Sequence, residues 1–155
     1  MRRRKADRRK IEPDVRYNSV KVQTFINHVL RKGKKNVAAS LVYDAFDIMA
    51  EKTGKEPVEL FELAMQNASP RMEVRPRRIG GATYQIPMEV PTHRQFTLAT
   101  RWILESARGR KGQPFDQCLA DELLSAVNNE GNAIRKREEA HRMAKANRAF
   151  SQFRV

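Results

Sequence analysis

An arginine side chain grips a phosphate through two parallel N–H groups and stacks flat on a base, so the run RMEVRPRRIGGATYQ at residues 71–85 points to phosphate recognition. Arg71, Arg75, Arg77 and Arg78 surround the Gly80–Gly81 pair, whose missing side chains let a sugar–phosphate chain approach the backbone closely. Tyr84 offers a ring either to an unpaired base or to its own neighbours across the ribbon, and the spacing leaves both open. Further cations stand at Lys34 and Lys35, at Arg94, Arg101 and Arg108 with a spacing of seven that puts them on one helix face, and at Arg110 and Lys111 in the loop GRKGQPF. Arg142 and Lys145 follow near the C-terminus. Arg2, Arg3, Arg4, Lys5, Arg8, Arg9 and Lys10 crowd the first ten residues against Asp7 alone.

Other chemistries find little support. His28, His93 and His141 lie far apart without the spacing of a zinc helix motif, and no glycine-rich loop precedes a Lys-Ser or Lys-Thr pair. Asp44 with Asp47 and Glu59 with Glu62 read as solvated helix charges, and Cys118 reads as a small core residue. The expectation is therefore a protein with no catalytic residue, no metal, no cofactor and no small-molecule substrate. A single cysteine excludes an internal disulfide and suits a reducing compartment. No apolar run approaches the roughly 20 residues that span a bilayer, and no apolar region follows the basic start, so neither a membrane span nor a signal peptide is expected.

The charge is segregated. Of 155 residues, 31 are Lys or Arg and 18 are Asp or Glu, a net charge of +13. Residues 1–10 carry +6, residues 71–111 carry +6 and residues 131–155 carry +5, which leaves the remainder at −4. Three separate basic segments on an otherwise acidic chain imply a polyanionic partner.

The periodicity says what holds these cations. Ser19 caps a helix whose stripe is Val22, Phe25, Ile26, Val29 and Leu30, with Gly33 as its stop. A second helix follows through Ala38, Leu41, Val42, Ala45, Phe46 and Met49 to Gly54, and a third opens on Pro57 and closes before Pro70. At Arg71 the period changes to two, giving a β-ribbon over about 71–91. A three-residue loop or bulge would set Val74 against Met88 and Met72 against Val90, apolar against apolar, and is the expected register. Pro76 and Pro87 exclude a central strand, so the ribbon stands two-stranded. Thr92 and Gln95 form a capping box for a fourth helix lined by Phe96, Ala99, Ile103 and Ala107, with Trp102 packing beside Arg101. Cys118, Leu119, Leu123, Leu124 and Val127 mark a fifth. Asn132 caps a basic sixth at about 132–149, with a thin stripe of Ile134, Met143, Ala144 and Ala146. The expected fold is mainly α: a bundle of six helices as one domain at 15–155, a protruding two-stranded antiparallel hairpin between helices three and four, and a flexible basic arm at 1–14.

Three stretches carry a resemblance. FINHVLRKGKKNVAASLVYDAF, PRMEVRPRRIGGATYQIPMEV and KREEAHRMAKANRAFSQFRV, in this order, with Lys52-Thr53-Gly54 and Arg101-Trp102, closely resemble the bacterial-type small-subunit ribosomal protein seven family from about Asp14 onward. The resemblance implies a scaffold, not an enzyme, with six helices and a β-ribbon. It implies a primary binder of the 3′ major domain of small-subunit rRNA that nucleates head assembly in the cytoplasmic ribosome, or in that of an organelle. By position, the rRNA contacts would fall on the arm, on Lys34 and Lys35, on Arg71, Arg75, Arg77, Arg78, Gly80 and Gly81, and on Arg94, Arg101, Arg108, Arg110 and Lys111. Exit-site tRNA and mRNA would approach Gly80, Gly81, Tyr84, Arg142 and Lys145. Small-subunit proteins nine and eleven would be neighbours, and repression of its own mRNA is a further family trait. A nucleoid-type DNA-binding dimer is the competing reading from charge alone. An RNA-processing enzyme lacks a clustered site, and binding of the last helix to a membrane surface fails for want of an apolar face.

Overall fold

Helix α1, Val20–Val29, starts where the Ser19 hydroxyl accepts the Val22 N–H at 3.4 Å, and it buries Val22, Phe25, Ile26 and Val29. In this computed structural model, which describes residues 6, 7 and 9–153, α1 ends before the expected stop. Leu30 already leaves helical geometry, and left-handed Lys32 and Gly33 (φ 52° and 74°) form the turn that follows. Helix α2, Lys35–Thr53, turns Ala38, Val42, Ala45, Phe46 and Met49 inward and ends at left-handed Gly54, whose N–H reaches the Ala50 carbonyl at 2.8 Å. Helix α3, Pro57–Ala68, uses Pro57 in its first turn and buries Phe61, Ala64 and Met65. Rings run through this core from half-buried Tyr17 to Phe46, Phe61 and Phe25, with centroids 5.4, 5.4 and 5.1 Å apart, each of the fully buried phenylalanines contributing about 1.5–3 kcal/mol.

Asp14 is the first buried residue along the described chain. Only 2% exposed, it accepts the N–H groups of Arg16 and Tyr17 and the hydroxyl of Tyr43, whose pKa is pushed up to about 12 by burial and by that bond. Helix α5, Phe115–Val127, fills the other side of the core with Cys118, Leu119, Leu123 and Ala126, and the thiol is buried as expected.

Strands β1, Met72–Ile79, and β2, Ala82–Glu89, pair antiparallel between α3 and helix α4, Thr92–Gly109. Helix α6, Asn132–Ala146, runs into a 3₁₀ segment, Arg148–Phe153, so the expected single helix to 149 is broken at Asn147. Six α-helices and one hairpin are thus the described architecture, as the periodicity predicts.

Four local expectations are corrected. Ile79 pairs with Ala82 across a two-residue turn, which sets Val74 against Pro87 and Met72 against Glu89. Gly80 and Gly81 have φ of 58° and 87°, the pair of positive values a tight primed turn requires, and that local geometry overrides apolar matching. Thr92 is the first residue of α4, not its cap; Gln95 turns back to donate to the Val90 carbonyl at 2.9 Å. Asn132 likewise lies inside α6, because Gly131 at φ 92° occupies the cap position and has no side chain to cap with. The Ala133 N–H is satisfied instead by Oε1 of Glu122 at 3.3 Å, from the neighbouring helix. Finally, Met143 and Ala146 are exposed, and α6 packs through Ala133, Ile134 and Ala144.

Candidate nucleic-acid interface

Glu73 sets the base of the ribbon. Nearly buried on β1, it accepts Nε of Arg75 at 2.7 Å and Nε of Arg94 at 2.9 Å, so one carboxylate ties the ribbon to the first turn of α4. Carboxylates held between two guanidinium groups fix both in direction and leave their outer N–H groups facing solvent. Beyond this point Arg77 and Arg78 are exposed near the tip. Arg77 donates to the Phe153 carbonyl at 3.2 Å, whereas Arg78 makes no ion pair among the described residues.

Helix α4 then works as a rail. Arg94 stands at its ribbon end, and Arg108 at the other end donates to the Val29 carbonyl at 3.2 Å, beside the turn between α1 and α2. Fourteen helical rises separate them, about 21 Å, with exposed Arg101 between. Lys34 is exposed at the start of α2, near Arg108, whereas Lys35, also exposed, lines a separate hollow with Asp14 and Tyr43. Burial and the nearby charge of Arg31 lower the pKa of Arg108. Arg31 belongs to this cluster with Lys34, and only the fold, by closing the turn onto α4, brings it there.

On the opposite flank α6 supports the ribbon. His141 accepts the backbone N–H of Arg71 through Nε2 at 2.9 Å, and Lys145 stands over the ribbon beside Met72 and Pro87, while Arg142 is exposed. The Tyr84 ring packs on Phe150 and Phe153 of the 3₁₀ segment, at 5.4 and 5.6 Å between centroids, so packing is what the described structure gives it. Trp102 is half-buried against the core. Arg110 pairs with buried Glu122 at 2.8 Å, a commitment the sequence did not reveal, and Lys111 is exposed. Arg9 and Lys10 are exposed outside any helix or strand; Arg2, Arg3, Arg4, Lys5 and Arg8 lie outside the described residues. Among the described residues no group of three or more His, Cys, Asp or Glu side chains is placed to hold a metal, and no helix is long and apolar enough to cross a membrane.

The bond to Arg71 makes the ribbon base sensitive to pH. Burial, then the charges of Arg137 and Arg71, push His141 below its ordinary 6.5, with Glu138 opposing weakly. Nε2 accepts only while it is unprotonated. The contribution to stability is therefore complete above pH 6.5 and is lost as pH falls through the lowered folded value, since the unfolded chain takes up the proton first. An NMR titration should place the His141 midpoint below 6.5, with the Arg71 amide shifting along the same curve; a midpoint at or above 6.5 would contradict the bond.

A helical bundle bearing an arginine ribbon, with cations aligned along one helix and a buried carboxylate orienting two of them, is the architecture of a basic scaffold protein. Residues 1–148 match the family described as Ribosomal protein S7p/S5e. The chain is 54% identical over 154 residues to the small ribosomal subunit protein uS7 of Thermotoga neapolitana, covering 99% of each. It is 52% identical over 153 residues to that of Thermomicrobium roseum, covering 99% of this chain and 98% of the relative. The chain belongs to the uS7 family of ribosomal proteins, structural and non-enzymatic constituents of the small subunit.

Proposed function

We propose that the chain is a primary rRNA-binding protein that grips the 3′ major domain of small-subunit rRNA and nucleates assembly of the head. The observation that carries this reading is the continuity of the cations from ribbon to α4 to the α1–α2 turn, a track about 21 Å along α4 alone that suits a folded RNA touched at several points. The ribbon tip at Gly80 and Gly81, with Tyr84, Arg142 and Lys145 on the flank, is the side we assign to exit-site tRNA and mRNA. Proteins nine and eleven are the proposed protein neighbours, and the same basic surface would serve repression of its own mRNA.

The test is the affinity of the purified chain for a transcript of the 3′ major domain, against unrelated RNA of equal length and duplex DNA, across a range of salt. The expected result is preferential binding to the ribosomal transcript, with a log–log salt slope of about −0.7 to −0.9 per phosphate contacted. Equal binding to all three would reduce the interface to generic charge and overturn the proposal.

A further inference from the structure

Where α4 ends against the α1–α2 turn, a notch of about 310 Å³ opens, at the lower end of the size of small-molecule sites. Its floor is apolar: Val37, 54% exposed, with half-buried Leu41 and Phe115. Its rim is cationic, formed by Arg31, Lys34 and Arg108. No carboxylate lines it, and none of the three cations forms a salt bridge among the described residues. The contrast with the notch between α4 and α6 is sharp, because there Glu105 and Glu139 share the wall and Lys136 is bound to Glu105 at 2.6 Å. The first turn of α2, which has no side-chain cap and whose Val37 lines the notch, adds the positive end of its helix to the field.

An apolar floor with one aromatic ring under an unbalanced cationic rim fits a ligand whose flat, weakly polar body hangs from a phosphate. We propose that this notch is a socket for one unpaired nucleotide of the bound RNA, its base seated on Phe115, Val37 and Leu41 and its phosphate held by Arg31, Lys34 and Arg108. This deepens the rRNA-binding reading and rests on it. An acidic peptide would satisfy the rim but would leave the aromatic floor without a flat partner, and charge continuity along α4 joins the notch to the RNA track rather than to a separate surface.

The test uses the full chain and the 3′ major domain transcript. Phe115→Ala should weaken binding by about tenfold or more, the size of one base–aromatic stack, with an unchanged salt slope. Lys34→Gln should lower the slope by about one phosphate contact. Val37→Glu, at an exposed position where folding is not at stake, should weaken binding as well by placing a carboxylate in the socket. A photo-crosslinking residue at position 115 should attach to a single unpaired nucleotide. If Phe115→Ala and Val37→Glu bind as tightly as the parent while ribbon variants bind weakly, the socket is wrong and RNA binding by the ribbon stands. If the parent itself fails to prefer the ribosomal transcript, the RNA reading fails and the socket falls with it. If assembled subunits crosslink position 115 to a protein rather than RNA, the notch is a protein-docking site and the proposal is overturned.

Discussion

Replacing Arg77 and Arg78 together by alanine lowers affinity for the 3′ major domain transcript by about 100-fold near physiological salt, as the loss of two charge-assisted contacts of about 1.5 kcal/mol each would give. The log–log salt slope becomes shallower by about 1.4–1.8, since two phosphates lose their partners. Thermal stability stays within about 2 °C of the parent, because both side chains are exposed and the hydrophobic core, built from α1 to α6, contains neither. Binding isotherms at several salt concentrations and a melting curve check all three expectations. Affinity within threefold of the parent would remove the ribbon from the interface, and a melting temperature that fell in step with affinity would mean that the ribbon is structural.

Glu122→Ala costs about 3 kcal/mol of stability, which for a chain of this size lowers the melting temperature by roughly 6–12 °C. Glu122 is fully buried, accepts Arg110 at 2.8 Å through one oxygen and the Ala133 N–H at 3.3 Å through the other. Removing it orphans the Ala133 N–H in the first turn of α6 and leaves a void where α5 meets the start of α6. The loss stays below that of a fully buried ion pair because the Arg110 side chain is 37% exposed and returns to water. Glu122→Gln keeps an acceptor for Ala133 and should lose only about half as much. Gly131→Ala reports on the same junction, since its new Cβ would meet Glu122 Oε1 at 3.1 Å at a φ of 92°. Chemical denaturation of the three variants measures the order; an unchanged melting temperature for Glu122→Ala would refute the capping role.

The difference between what the sequence foretold and what it concealed follows the range of the forces involved. The stripe Val22, Phe25, Ile26, Val29 predicts its own burial, because four residues at helical spacing need only some apolar partner, and all four are buried. The ribbon register depended on a competition: apolar matching favoured one offset, and the backbone preference of two adjacent glycines selected the other. Periodicity cannot weigh those terms. Glu122 was invisible for a different reason, since its partners lie 11 and 12 residues away and come together only when α4, α5 and α6 meet. The arginines of the interface were legible as a set, but not their division of labour. Glu73 orients Arg75 and Arg94, and Glu122 engages Arg110, so Arg78 and Arg101 are left more open than their neighbours.

The ribbon lies mid-chain, yet several of its moorings arrive last. Arg71 is held by His141, Arg77 by Phe153, and Tyr84 by Phe150 and Phe153. A chain made from its N-terminus at roughly 5–20 residues per second completes the hairpin and then waits on the order of 3–13 s before Phe153 exists. Through that interval the nascent hairpin is held by its own turn and by Glu73 with Arg94, its outer face uncovered. Birth order and spatial order are thus opposed: the most cationic finger of the molecule is formed early and braced late.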